Sequence, residues 1–207
     1  RMKEDEQLKE QENERLKSEL SFLRSQISPH FMFNVLNSVV SLSRRKPDMV
    51  EPVVVKLSEL MRYMIYETND SIVPISKELV YLESYIDLQK IRFGDDIHID
   101  FKHELGSKSS HIEPMLLIPF VENAFKHGVG FIENPTIEIE LKDSAKELYF
   151  RVANKKGTTI NEMKDESSGI GLANVKRRLE LLYPTNHRLD VNDFGSEFII
   201  TLTIQHV

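Results

Sequence analysis

Residues 16–45 read LKSELSFLRSQISPHFMFNVLNSVVSLSRR, and apolar residues recur every three or four positions on both sides of a proline. Upstream of that proline they form a narrow seam at Leu16, Leu20, Leu23 and Ile27. Such a seam is typical of a helix that pairs with a partner helix, although a solvated helix with one apolar stripe is the alternative. Pro29 lacks an N–H and its ring clashes with the preceding turn, so a break or kink is expected there. Because the apolar pattern continues beyond it, a further helical segment follows.

A second helix is expected after the turn at residues 44–48, RRKPD. Its apolar residues are spaced to form one face, at Met49, Val53, Leu57, Leu60, Met61 and Met64. Residues 68–71, TNDS, are a natural stop. Residues 1–70 are therefore predicted to form a helical hairpin. Two helices alone leave part of their apolar seam exposed to solvent. Two copies of the hairpin are therefore expected to dimerise into a four-helix bundle.

The pattern changes in the second predicted domain, residues 71–207. A helix over residues 76–92 is followed by alternating apolar residues at Ile97, Ile99 and Phe101, which indicate a half-buried strand. Further strands are expected at residues 136–141, 147–153, 189–193 and 197–204, and helices at 114–127 and 172–183. This order favours an α+β fold, a mixed sheet with helices on one face. Residues 157–168 read as a long loop, of the kind that is a functional lid or disordered.

Composition excludes several classes of function. The 207 residues include 27 Lys and Arg against 33 Asp and Glu, a formal charge of -6 that disfavours nucleic-acid binding. Without cysteine the chain has no disulfide, thiol nucleophile or Cys-ligated zinc, which fits a reducing compartment. The longest apolar run, residues 115–121, is far shorter than the ~20 residues that span a bilayer. A chain that begins with arginine is also expected to be part of something longer.

The first candidate site is His30, in residues 26–37, QISPHFMFNVLN. An imidazole with an ordinary pKa of about 6.5 is largely neutral near pH 7 and can act as a nucleophile. Asn34 lies four residues further on, on the same helical face, where it could orient a water or a phosphoryl group. A structural histidine is the alternative.

The second candidate site is the sequence IPFVENAFKHG at residues 118–128, where polar side chains interrupt an apolar helix. In a nucleotide site, the carbonyl oxygen of Asn123 could hold Mg²⁺ and Lys126 could meet phosphate, with Glu122 beside them. An amphipathic helix with its polar face in water is the alternative.

The third candidate site is SGIGLANVKRRL at residues 168–179, where Gly169 and Gly171 open a helix. Glycines let backbone amides approach an anion, and the helix dipole favours phosphate. The third glycine of a dinucleotide fingerprint and the Gly-Lys-Ser/Thr of a P-loop are both missing, which disfavours those two folds.

Together, in this order and spacing, the three motifs resemble the LytS-like sensor histidine kinases, and the last two are similar to a GHKL-type (Bergerat) ATP-binding domain. Residues 57–63, LSELMRY, and residues 78–94, which end QKIRFG, are also similar to that family. The resemblance implies an α/β-sandwich domain that binds ATP and Mg²⁺.

The resemblance also implies roles for single residues. His30 corresponds to the phosphoacceptor, and Asn34 to a position that helps to remove phosphate from the response regulator. Glu122 corresponds to an acid or base, although many other histidine kinases carry an acid directly after the histidine, where this chain has Phe31. Asn123 corresponds to the Mg²⁺ ligand. The remaining nucleotide-binding positions are Lys126, His127, Asn154, Gly157, Gly169, Gly171 and Leu172.

Asn154 is a departure from the wider pattern, which has an aspartate that accepts a hydrogen bond from the adenine amino group. An asparagine carbonyl can accept that bond more weakly. Lys156 replaces a glycine of the same pattern.

As partners, the resemblance implies a second copy of the chain and a response regulator, usually with a LytTR-type DNA-binding domain. It implies a cytoplasmic location below transmembrane segments that lie upstream. Two alternatives are open: a degenerate kinase that acts as a nucleotide-binding or dimeric interaction module, and a GHKL ATPase that hydrolyses ATP for mechanical work.

Overall fold

A computed structural model of the chain describes residues 29–66, 72–106, 110–130, 132–157 and 167–206, together with positions 11, 15, 16 and 18–20, which are helical. The predicted seam is thus described only in part, because Leu23 and Ile27 lie outside the described residues. The side chain of His30 also lies outside them, as do those of residues 167–170.

Five helices and seven strands are described. The helices are α1 Pro29–Arg45, α2 Val50–Tyr66, α3 Ile75–Phe93, α4 Ile118–His127 and α5 Ser167–Leu182. The strands are β1 Val73–Pro74, β2 His98–Leu105, β3 His111–Ile112, β4 Thr136–Asp143, β5 Glu147–Lys155, β6 His187–Asp193 and β7 Glu197–Gln205. Short 3-10 turns at Pro47–Met49 and Gly94–Asp96 follow α1 and α3.

Helices α1 and α2 form the predicted hairpin around the turn Pro47–Met49. One face of each helix is buried, with Phe31 and Val35 on α1 and Val53, Leu57 and Leu60 on α2. A second apolar face remains open to solvent, formed by Phe33, Leu36 and Val40 on α1 and by Val54, Met61 and Ile65 on α2. None of the helices in the described ranges is long and apolar enough to cross a membrane.

The main sheet has five strands in the order β2-β4-β5-β7-β6. Strand β2 pairs with β4 in parallel, and every other pair is antiparallel. The pairing aligns Leu141, Phe150 and Leu202 in one row across the three central strands. All three side chains are buried, so this row lies at the centre of the core.

The two faces of the sheet differ in polarity. On β4, Ile137, Ile139 and Leu141 are buried, whereas Glu138 faces solvent and pairs with Arg151 of β5 at 3.1 Å. Helices α4 and α5 pack against the apolar face. The predicted fold class is confirmed: helices are followed by a mixed five-stranded sheet with helices on one face. The division at residue 70 stays a prediction.

Some predicted boundaries are wrong. Helix α4 begins at Ile118 rather than near residue 114, because Pro114 and Met115 form a turn in which Met115 has a φ of 59°. Helix α5 begins at Ser167 rather than at residue 172, so Gly169 and Gly171 lie inside its first turns. The sequence also did not reveal the two-residue ladder between β1 and β3.

Candidate functional site

Helix α4 carries the polar residues of the second motif on one face. Its apolar residues are buried, and the ring of Phe120 lies 6.2 Å from that of Phe150 in the sheet. The opposite face presents side chains that are half-buried or exposed, those of Glu122, Asn123, Lys126 and His127. The helix is thus anchored through one face while the acid, amide and bases share the other.

Glu122 lies in an environment that favours its protonated form. Burial raises its pKa from 4.5 to about 7, because the charged carboxylate loses its hydration. The same carboxylate affects two tyrosines of α3, Tyr81 and Tyr85. Burial raises the pKa values of both tyrosines, and the negative charge of Glu122 raises them further. Near neutral pH, Glu122 is therefore able to take up or release a proton.

The end of α4 is in close contact with the end of β5. A Cβ atom at Gly128 would lie 2.5 Å from the carbonyl oxygen of Ala124 and 2.7 Å from the Cβ of Asn154, so only glycine fits. Asn154 is 2% exposed, and its Nδ2 donates to the carbonyl oxygen of Lys155 at 2.9 Å. In this arrangement Nδ2 is the donor, and Oδ1 is the acceptor atom of the side chain.

Lys156, the residue after β5, makes its contacts at the β6–β7 hairpin. Its Nζ pairs with Asp193 of β6 at 2.7 Å, and its backbone N–H donates to the carbonyl oxygen of Ser196 at 2.9 Å. The ion pair with Lys156 lowers the pKa of Asp193. The lysine that replaces the expected glycine therefore binds the β6–β7 hairpin.

The third motif lies beside α4. Gly157 lies two residues after the end of β5. Gly169, Gly171 and Leu172 lie in the first turns of α5, a helix that packs on α4. The predicted loop at 157–168 falls almost wholly on residues 158–166, which are outside the described residues.

The first motif meets α4 through aromatic rings. His30 lies in the first turn of α1, and the ring of the next residue, Phe31, lies 4.4 Å from that of Tyr85. Tyr85 in turn lies 5.8 Å from the ring of Phe125 on α4, and Gln89 fixes its hydroxyl by donating from Nε2 at 2.7 Å. The start of α1 and the helix of Glu122 therefore share one aromatic cluster. Asn34 is half-buried one turn beyond His30.

The donor set fits Mg²⁺ carried by a nucleotide. Mg²⁺ usually binds to one or two protein oxygens together with phosphate oxygens and water. Asn123 offers one amide oxygen on the polar face of α4. Among the described residues, no group of three or more His, Asp or Glu side chains could hold a metal ion by itself.

The hairpin and the α+β layer both lie within a stretch that is similar in sequence to known histidine kinases. The family described as histidine kinase matches residues 18–97. Sensor histidine kinase YpdA of Escherichia coli (strain K12) is 35% identical over 191 residues, which cover 86% of this chain and 32% of that protein. Sensor protein kinase HptS of Staphylococcus aureus (strain USA300) is 36% identical over 110 residues, or 53% of this chain and 21% of HptS.

Among solved structures, the histidine kinase domain of the blue-light activated kinase EL346 from Erythrobacter litoralis is similar, with a TM-score of 0.49 and 14% identity. That similarity covers 92% of this chain and 94% of that one. The family match over residues 18–97 is to histidine kinases of the LytS/YpdA type. It spans about a third of the length of YpdA and about a fifth of that of HptS.

Sequence reasoning missed the residues that connect the motifs. Tyr85 and Gln89 lie in residues 78–94, which the family resemblance marked without assigning a role to them. Gly128 ends the second motif, and only its contact with Asn154 shows why glycine is needed there. The sequence signal available for Tyr85 and Gln89 was their spacing, one helical turn apart in an apolar helix.

Glu122→Gln is expected to stabilise the protein at pH 8 by about 1–3 kcal/mol and to change its stability much less at pH 5. The raised pKa means that the folded protein holds the proton more tightly than the unfolded chain does. Stability is therefore lost as the pH rises from 4.5 towards 7, and a neutral amide avoids that loss. Urea unfolding at both pH values measures the effect.

Glu133→Gln, at an exposed loop position, is the matched control and should change stability equally little at both pH values. An equal effect of Glu122→Gln at pH 5 and pH 8 would contradict the burial of its charge.

Proposed function

We propose that the chain is the cytoplasmic kinase portion of a two-component sensor, which transfers the γ-phosphoryl group of ATP to His30 and then to an aspartate of a response regulator. The observation that carries the proposal is the aromatic connection Phe31–Tyr85–Phe125 between the first turn of α1 and α4. It brings the helix of the predicted phosphoacceptor close to the helix of Glu122 and Asn123.

The proposed reaction uses both ionisable groups. The unprotonated ring nitrogen of His30 attacks the γ-phosphorus; the N–P bond forms as the bond to the β,γ-bridging oxygen breaks, and ADP leaves with that electron pair. The other ring nitrogen then gives its proton to the Glu122 carboxylate. A pKa of about 7 suits that acceptor, because general bases work best near the ambient pH.

The nucleotide is proposed to lie along the polar face of α4. Asn123 would bind the Mg²⁺ that neutralises phosphate charge, and Lys126 and His127 would lie near the phosphates. Asn154 would accept from the adenine amino group. The side of the site next to the predicted lid at residues 157–168 would be formed by Gly157, Gly169, Gly171 and Leu172.

Further steps rest on the family resemblance. Asn34 would assist removal of phosphate from the response regulator, whose output domain would be of the LytTR type. Membrane attachment would come from upstream segments of a longer chain.

The first test is incubation of the chain with γ-labelled ATP and Mg²⁺. Wild type is expected to gain acid-labile, alkali-stable label, because a phosphoramidate hydrolyses in acid. His30→Ala should carry no label above background, whereas His98→Ala, at an exposed strand position, should label like wild type.

Other outcomes select the alternatives. ATP binding without label would favour a degenerate kinase that acts as an interaction module. Release of inorganic phosphate without any labelled protein would favour an ATPase. Label retained in His30→Ala would overturn the assignment of the phosphoacceptor.

Asn154→Asp is expected to tighten ATP binding by up to about tenfold or to leave it unchanged, because a charged acceptor forms the stronger hydrogen bond. Isothermal titration with a non-hydrolysable ATP analogue measures it. Asn192→Asp, an exposed change of equal charge on β6, is the control. A marked loss of affinity in Asn154→Asp alone would contradict the adenine assignment.

The open apolar face of the hairpin is proposed to bind a second copy of the chain. It includes Leu36, which is 50% exposed although α1 buries its other face. Leu36→Lys is expected to convert a dimer to monomers, because a lysine charge in a helix bundle would lose its hydration. Sedimentation equilibrium measures the mass. Val191→Lys, with 49% exposure on β6, should stay dimeric; a monomeric wild type would overturn this proposal.

A further inference from the structure

Three ionisable side chains are buried at the turn that precedes α4. Glu78 of α3, Glu113 and Arg178 of α5 are 0%, 1% and 1% exposed. Buried charges are costly unless they are paired and hydrogen-bonded, so such a cluster needs a reason. Glu113 belongs to residues 113–117, the turn that leads into α4, and Glu78 and Arg178 contact this turn.

That turn is held from two sides. On one side, Glu78 Oε1 accepts a hydrogen bond from the backbone N–H of Met115 at 2.6 Å. On the other, the Arg178 guanidinium donates to the carbonyl oxygens of Pro114 at 2.9 Å and Met115 at 3.0 Å, and it pairs with Glu113 at 3.3 Å. Met115 has a left-handed φ of 59°, a conformation that a non-glycine residue adopts only when its surroundings impose it.

The hairpin contributes one group to this cluster. The hydroxyl of Tyr63, near the end of α2, donates to Glu78 Oε1, the same atom that accepts from Met115. The ring of Tyr63 stacks on that of Tyr81 at 4.7 Å. One carboxylate oxygen therefore joins the hairpin to the turn that sets the start of α4.

We infer that Tyr63 is a positioning residue for phosphoryl transfer: through Glu78, its hydroxyl fixes the turn at residues 113–117 and so aligns α4 with the hairpin that carries His30. This inference rests on the proposed kinase function. Tyr63 lies in LSELMRY and Glu78 in residues 78–94, two segments that are similar to the family. The resemblance implies no role for either residue. Because Arg178 holds the turn independently, loss of the hydroxyl leaves the ATP-binding layer intact.

The test is Tyr63→Phe in the full chain, which removes the hydroxyl and keeps the stacked ring. The rate of His30 labelling at saturating ATP is expected to fall about tenfold, since a small misalignment of α4 with the hairpin would displace the reacting groups from their productive geometry. The KM for ATP and the melting temperature should stay close to wild type, because the nucleotide site itself is unchanged. Tyr66→Phe, on the same helix with 67% exposure, should change none of these.

An unchanged labelling rate would overturn the inference. So would losses of rate, ATP affinity and melting temperature that go together, because these would mean a merely structural role.

Amide hydrogen exchange gives a readout that does not depend on activity. In Tyr63→Phe, the amides of residues 113–117 are expected to exchange faster than in wild type or in Tyr66→Phe. If wild type takes up no label, the proposed function fails, and faster exchange of this turn still supports the connection between hairpin and turn. Equal exchange in all three proteins overturns it.

Discussion

The rest of the structure depends on the turn at residues 113–117, because this turn decides where α4 begins and in which direction it runs. Its backbone groups are buried, and a buried amide or carbonyl without a partner costs about 1–3 kcal/mol. Glu78 and Arg178 supply the partners. Along α4, the ring of Phe120 packs near that of Phe150 in the sheet. Gly128, directly after the helix, lies close to Asn154. Two buried ionisable side chains therefore hold the turn from which the helix of the candidate nucleotide site begins.

The hairpin and the sheet layer have a common interior. Buried residues of α1 and α2, such as Phe31 and Leu57, belong to the same apolar cluster as Phe150 and Leu202 of the sheet. Helix α3 lies between them and contributes Tyr85 to the site and Glu78 to the turn. A shift of the hairpin would therefore act on α4 by two separate routes, one through aromatic rings and one through a hydrogen-bonded carboxylate.

Hydrophobic periodicity was sufficient to predict the helices and strands whose buried side follows from their own sequence. Helix α3 and the strands β4, β5 and β7 were predicted to within two residues, because a period of 3.6 or 2 sets which side is buried. The start of α4 was missed, since Met115 adopts its conformation only through partners distant in sequence. The two-residue strands β1 and β3 are too short to show a period. The motifs identified the helices α4 and α5 but not the residues at which they begin. Tyr63 and Arg178 look like ordinary helix residues until α3, α4 and α5 pack together.

The single parallel pair in the sheet affects how the chain folds. In the hairpins β4–β5 and β6–β7, the paired strands are consecutive in the sequence. Strands β2 and β4 also pair, but the segment that contains α4 separates them in the sequence. Contacts between distant segments generally form after local ones, because they close longer loops. The two hairpins are therefore expected to form first, and α4 to dock when β2 joins the sheet. The candidate nucleotide site is then complete only in the final stage of folding.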